Sequence, residues 1–153
     1  DNAQTLHDRL AQIGAELPLA TLPEYIAGNI QPGPQPADGG AYARKITKED
    51  GRIDWTQPAP VLANRIRAFT PWPGAFTFQT VAEKPRLLKI WRATVTAASG
   101  VTGRVLVAEP AGLIVGCGVG ALQVFELQRE GGRRMTAAEF LNAGDLKTGD
   151  VLK

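Results

Sequence analysis

The chain reads as mainly β, a small barrel of about five strands with flanking helices, and three observations predict this. From Ala75 onward apolar residues recur at the two-residue period of strands. The turns between those runs are short and rich in glycine, proline or charge, and helical patterns lie before and after them. With 153 residues, 44% of them apolar and 21% charged, the chain has room for one domain, or for one domain plus part of another.

In chain order, Thr5 followed by Asp8 resembles a capping box, and Leu6, Leu10, Ile13 and Leu17 repeat at helical spacing. Gly14 and Pro18 predict an interruption, after which Leu19, Leu22 and Ile26 continue to a stop at Gly28. The expectation is one helical hairpin or one kinked helix, whose apolar stripe either docks on the later domain or lacks its partner. Residues 29–41, with three prolines and three glycines between 32 and 40, read as an extended linker. Ile46, Ile53 and Trp55 then stand as anchors among charges. Thr56–Pro60 reads as a helix entry, because the first N–H groups of a helix have no internal partner and proline is tolerated there. Leu62, Ile66 and Phe69 form the buried stripe, Pro71 ends the helix, and Arg65 and Arg67 fall off the stripe, toward solvent or a ligand.

Strands are predicted at 75–80, 86–96, 103–108, 113–115 and 121–128. Two change phase, at Leu88, Ile90 against Trp91, Ala93, Val95, and at Leu122, Val124 against Phe125, Leu127. Such slips predict bulges where a strand serves both sides of a closing barrel. Thr136 and Glu139 form a second capping box, with a short helix through Leu141 and a stop at Gly144.

One cysteine (Cys117), one histidine (His7) and one serine (Ser99) rule out a disulfide framework and leave little for a zinc site or a nucleophilic triad. No apolar run reaches the ~18 residues of a membrane span, and no basic-then-apolar leader opens the chain, so a cytoplasmic setting is expected. The start at Asp1 without methionine keeps a processed protein or an excised fragment in view. The net charge of +2 hides an asymmetry. Residues 1–50 carry four basic and seven acidic side chains, the remainder thirteen and eight.

GCGVGA at 116–121 fits a dinucleotide fingerprint in letters, but a helix must follow that turn, and 121–128 has a strand pattern; a glycine-rich hairpin is the reading. Glu49, Asp50 and Asp54 could do acid–base work, although Lys48 and Arg52 beside them point to ion pairing. Between 84 and 134 eight basic residues face three acidic ones. Arg86 and Arg92 share strand parity, with Lys89 opposite unless a bulge intervenes. A basic barrel face meeting phosphates is one reading and a scattered solvated surface the other. Trp72, Trp91 and Phe76 could stack on bases, with core or hinge packing as the alternative for Trp91.

The segments Tyr42-Ala43, Lys45-Ile46, Lys48-Glu49-Asp50, Ile53-Asp54-Trp55, Ile66-Arg67-Ala68-Phe69 and Pro71-Trp72-Pro73-Gly74-Ala75, with the tail from Met135, resemble the junction and C-terminal domain of the methionyl-tRNA formyltransferase family. The resemblance extends over nearly the whole chain. It implies an oligonucleotide-binding (OB-fold-like) barrel at 47–153, a linker at 29–46, and at 1–28 the last helices of an incomplete, Rossmann-like catalytic domain. It also implies a parent enzyme that moves a formyl group from 10-formyltetrahydrofolate to methionyl initiator tRNA. The catalytic residues and the folate site would lie upstream, so no catalytic, cofactor or metal residue is assigned in the segment, which alone should be inactive. The expected partners are initiator methionyl-tRNA and the parent's own catalytic domain, in a monomer with no membrane contact. Candidate tRNA-binding residues are Lys45, Lys48, Arg67, Lys84, Arg86, Lys89, Arg92, Arg104, Arg129, Arg133 and Arg134. The alternatives are the C-terminal piece of a related sugar-nucleotide formyltransferase and a structural barrel that binds no nucleic acid.

Overall fold

A computed structural model of the chain describes residues 1–144 and 146–153. Helix α1 spans Ala3–Ile26 and is capped by Asn2, whose side chain accepts from Thr5 N while the Thr5 hydroxyl accepts from Asn2 N. The cap thus lies three residues before the expected one. The helix also continues unbroken through Gly14, Pro18 and Pro23, so the hairpin alternative fails. Pro18 and Pro23 each lack the N–H that an interior helical position donates, and the helix runs past both. Gly28, at φ +78°, turns the chain out as expected. No residue of α1 is buried, and Leu6, Leu10, Ile13, Leu17 and Leu22 all lie open. Residues 29–47 form neither helix nor strand.

A 3₁₀ turn at Lys48–Gly51 leads into Ile53 and Trp55, which are buried, whereas Ile46 is exposed. Helix α2, Ala59–Ala68, seats Leu62, Ala63 and Ile66 in the core. Then follow β1 Ala75–Val81, β2 Lys84–Thr96, β3 Val105–Glu109, β4 Gly112–Gly116, β5 Ala121–Arg129, β6 Arg134–Thr136 and helix α3, Ala137–Asn142. The strands form one antiparallel sheet in the order β1-β2-β5-β4-β3, with β6 added beside β5. The sheet curls around a core that includes Leu88, Ile90, Leu113, Leu122, Leu127 and Phe140. This is the mainly β architecture the sequence predicts, with β6 as an unforeseen addition.

Both predicted phase changes are present. Ile90 pairs with Leu127, Arg92 with Glu126 and Ala93 with Val124, so register slips around Arg92. The slip turns Ala93 inward with Leu88 and Ile90, and leaves Trp91 half-buried and outside the core cluster. Residues 116–121 form the β4–β5 turn, closed by Cys117 N donating to the Gly120 carbonyl at 3.0 Å, so the hairpin reading holds. Gly118 donates to the Trp55 carbonyl at 2.8 Å, and a Cβ there would collide with the Thr56 carbonyl.

The C-terminal segment fills the gap between the outermost strands. Against β3 and its lead-in, Gly149 N donates to the Val105 carbonyl, Val105 N to Asp150 and Leu152 N to Gly103, each at 2.8 Å. Against β1, Phe78 N donates to the Lys153 carbonyl at 2.8 Å, and Lys153 N returns to Phe78 at 2.9 Å. Leu146 and Leu152 enter the core. Trp55 Nε1 donates to Thr77 Oγ1 at 3.0 Å, and that hydroxyl donates on to the Lys153 carbonyl at 2.9 Å, tying the lead-in, β1 and the tail together.

Helix α3 has the expected capping box. Thr136 Oγ1 accepts from Glu139 N, and the Glu139 carboxylate accepts from Thr136 N at 2.8 Å and from Arg133 Nη2 at 2.8 Å. The Arg133 bond, followed by the Thr136 bonds, lowers the Glu139 pKa from its ordinary 4.5 to about 2. A pKa depressed in the folded state contributes stability above the unfolded value, and that contribution is lost as pH falls from about 4.5 toward about 2. The thermal stability of Glu139→Gln should therefore fall below that of the parent at pH 6 and converge with it by pH 2, as read from melting curves.

Candidate nucleic-acid interface

Cross-strand register decides which cations meet. Lys89 of β2 pairs with Gln128 of β5, which pairs with Arg134 of β6, and one step along Arg92 pairs with Glu126. Because Leu88, Ile90 and Leu127 point into the core, the Lys89–Gln128–Arg134 row and the Arg92–Glu126 pair lie on the outer face. Trp91, displaced outward at the bulge, sits among them. Its Nε1 donates to Gln128 Oε1 at 2.9 Å, and Arg134 and Lys89 hold their charges 4.1 and 5.5 Å from its ring. Arg92 lies 4.7 Å from the Phe125 ring and donates to Glu126 Oε1 at 2.8 Å, while Arg134 reaches Glu126 Oε2 at 3.7 Å.

A groove of about 560 Å³ runs beside this row. Trp91, Arg92, Glu126 and Arg134 form one wall, Arg67 and Thr70 at the end of α2 the other, and the start of α1 closes one side. Gln4 N donates to the Thr70 carbonyl at 3.2 Å, which fixes that side. Arg67 is exposed and donates to Asn64 Oδ1 at 2.6 Å. The groove thus sets Arg67, Arg92 and Arg134 against Asp1 and Glu126, with Glu126 between two of the arginines. Cations beside an aromatic ring on an open face can take phosphates and bases.

The other candidates lie elsewhere. Lys45 and Lys48 are exposed at the lead-in. Lys84 and Arg86 project from the far end of the β1–β2 hairpin, opposite Val81 and Gln79. Since Arg86 keeps the parity of Leu88 and the bulge moves Arg92 off it, the expected Arg86–Arg92 face does not form; Lys89 and Arg92 share one instead. Arg104 bridges to Val151 at the β3 edge, Arg129 lies 4.6 Å from the Phe140 ring, and Arg133 holds Glu139.

Several other side chains resolve as structure. Arg65 donates from Nε to the Asp50 carbonyl at 3.1 Å and from Nη2 at 2.6 Å, and it covers the Phe69 ring. This partly buried clamp between α2 and the 3₁₀ turn replaces the expected solvent or ligand role. Asp50 pairs with Arg44, not with Lys48 or Arg52, and the Arg44 bond, then Thr47 N, holds its carboxyl well below the usual carboxylate range. Asp54 accepts from Thr56 and Gln57, which lower its pKa, and Arg52 lies over Phe78. Phe76 is buried edge-on against Phe78 and cannot meet a base. Burial pushes the Cys117 thiol up to about 11, which makes it inert at neutral pH. His7 is exposed beside Asp8. Among the described residues no helix is long and apolar enough to cross a membrane. Glu126 and Gln128, which organise the row, were not singled out from sequence; their alternation around buried Leu127, opposite Lys89 and Arg92, was the available signal.

The described residues thus form a curled antiparallel sheet with an extended lead-in and a basic outer face. The chain belongs to the formyl transferase C-terminal domain family, whose model matches residues 45–144. It is 45% identical over 149 residues to a methionyl-tRNA formyltransferase of Myxococcus xanthus, covering 97% of this chain and 46% of that protein. To that of Acidovorax ebreus it is 43% identical, covering 99% and 47%. The chain thus spans about half the length of the curated relatives it matches. Among solved structures, HypX from Aquifex aeolicus in complex with tetrahydrofolic acid aligns with a TM-score of 0.58 at 22% identity, over 87% of this chain and 24% of that one, which shows a shared fold.

Proposed function

We propose that this chain is the C-terminal, tRNA-binding portion of a methionyl-tRNA formyltransferase. The whole enzyme would move a formyl group from 10-formyltetrahydrofolate to the α-amino group of methionine on initiator tRNA. Residues 47–153 form the tRNA-binding, OB-fold-like domain, 29–46 the linker, and 1–28 the end of the catalytic domain that carries the reacting groups and the folate site. The exposed apolar stripe of α1 supports the last assignment, because a helix with Leu6, Leu10, Ile13 and Leu17 open to water is stabilised by a packing partner. The protein works as a cytoplasmic monomer.

The observation that carries the reading is the row of Lys89, Arg134 and Arg92 around Trp91, facing Arg67 across a groove, in a chain 45% identical to a methionyl-tRNA formyltransferase. Contacts to phosphates place a tRNA body without reading its sequence. Formyl transfer needs a well-placed amine, and binding energy gathered far from the reacting atom can hold it there. A salt titration of tRNA binding tests this. With two to four phosphates engaged, the log–log slope should lie between about −1.5 and −3.5. No binding at low ionic strength, or a slope near zero, refutes the reading.

A further inference from the structure

Three tryptophans occur in this chain, and the structure gives each a different situation. Trp55 is buried and hydrogen-bonded, and Trp91 is half-buried under two cations. Trp72 is 54% exposed. Among the described residues its side chain enters no hydrogen bond, ion pair or ring contact. Its loop is nevertheless firmly held. Gly74 N donates to the Phe69 carbonyl at 2.9 Å, Thr70 Oγ1 to the Ile66 carbonyl at 2.8 Å, and the buried Thr70 and Pro73 flank the Pro71–Trp72 tip.

The position of that tip is informative. Thr70, on one side, lines the basic groove, and Gly74, on the other, lies against Trp91 and Lys89. A Cβ placed on Gly74 would sit 3.6 Å from Trp91 Cη2 and 3.8 Å from Lys89 Nζ. The loop that carries the open indole is therefore bordered on both sides by residues that lie against the groove and the cation row. An unstacked aromatic on a held loop that borders cations is an arrangement that can receive an unpaired nucleotide, its base on the ring and its phosphates on the charges. Paired bases in a duplex are already stacked on one another and present no free face.

Building on the tRNA-binding reading, we propose that Trp72 is a stacking platform for an unpaired nucleotide of the bound RNA, with Lys89 and Arg67 taking the flanking phosphates. The chain thereby engages a single-stranded element of tRNA as well as its backbone.

The test uses the 153-residue chain, a single-stranded RNA hexanucleotide, a blunt RNA duplex and initiator tRNA. Trp72→Ala should weaken hexanucleotide binding about 5- to 100-fold, the range expected for one lost base–aromatic stack, while Trp72→Phe retains most of the affinity. Duplex binding should change less than about two-fold, a shift within the spread expected of peripheral substitutions. In the unsubstituted chain the hexanucleotide should shield tryptophan emission from acrylamide, and this shielding should fall in Trp72→Ala to what half-buried Trp91 alone contributes, while the melting curve should match the parent's. If parent and Trp72→Ala bind hexanucleotide and tRNA equally, the stacking role is overturned while the tRNA reading stands. If the parent binds none of the RNAs, the tRNA reading fails and this proposal with it. Shielding of Trp72 by the remainder of the enzyme without RNA would show that the ring is a domain contact and overturn the proposal.

Discussion

Reversing both charges that flank Trp91, in Lys89→Glu with Arg134→Glu, is expected to weaken tRNA binding roughly 100-fold at moderate salt and to reduce the salt slope by about 1.5 to 2. The two residues occupy one cross-strand row through Gln128 and hold their charges over the same indole. Replacing both puts two repulsions where two attractions stood. The controls follow from the same geometry. Arg86→Glu, at the far end of the hairpin and off the outer-face parity, should change affinity less than about three-fold, as a distant charge screened by salt does. Arg104→Glu, at the β3 edge, should behave likewise. Filter or anisotropy titrations with initiator tRNA measure all three variants. Equal losses from Arg86→Glu and from the double variant would show that net charge, and not this row, drives binding. Because Arg134 also packs on Trp91, a melting curve of the double variant separates lost contacts from lost fold.

The largest stability effect is expected at the C-terminal segment. Removing residues 149–153 deletes the backbone bonds to Val105, Gly103 and Phe78, and takes Leu152 out of the core. The Trp55–Thr77–Lys153 chain loses its last acceptor, and the facing edges of β1 and β3 are left unpaired. The truncated chain should fail to unfold cooperatively in urea. The milder Leu152→Ala should retain cooperative unfolding and lose about 2–4 kcal/mol, the usual cost of truncating a buried leucine. A cooperative transition of undiminished midpoint in the truncated chain would mean that the sheet holds its curl unaided.

The sequence disclosed the elements that have a local signature. The β2 and β5 slips were visible as broken alternation, α3 as Thr136 with Glu139, and the β4–β5 turn as a glycine cluster followed by a strand pattern. What escaped depends on distant pairing. Arg134–Thr136 has one apolar residue and no period to detect, yet β5 recruits it as β6. The tail is a few residues long and gains its order from strands forty or more positions away, as no window of local pattern can reveal. At the site, a one-residue slip decided which cations face outward together. The broken alternation announced the slip, but not that Ala93 would turn in and Trp91 stay out. Arg65 likewise lay off the buried stripe of its helix, and its role was set by a carbonyl fifteen residues earlier.

Glu126 gives the basic face a property that charge counting misses. One of its oxygens accepts from Arg92 Nε and the other lies 3.7 Å from Arg134, so on the tRNA-binding proposal an arriving phosphate would meet a carboxylate that already competes for these guanidinium groups. Glu126 would then act as a tethered competitor that never dilutes away. Weakly placed anions would lose that competition, and an RNA that delivers several phosphates in register would win it. On that proposal the face would be tuned against casual polyanions, through one acid held between two bases.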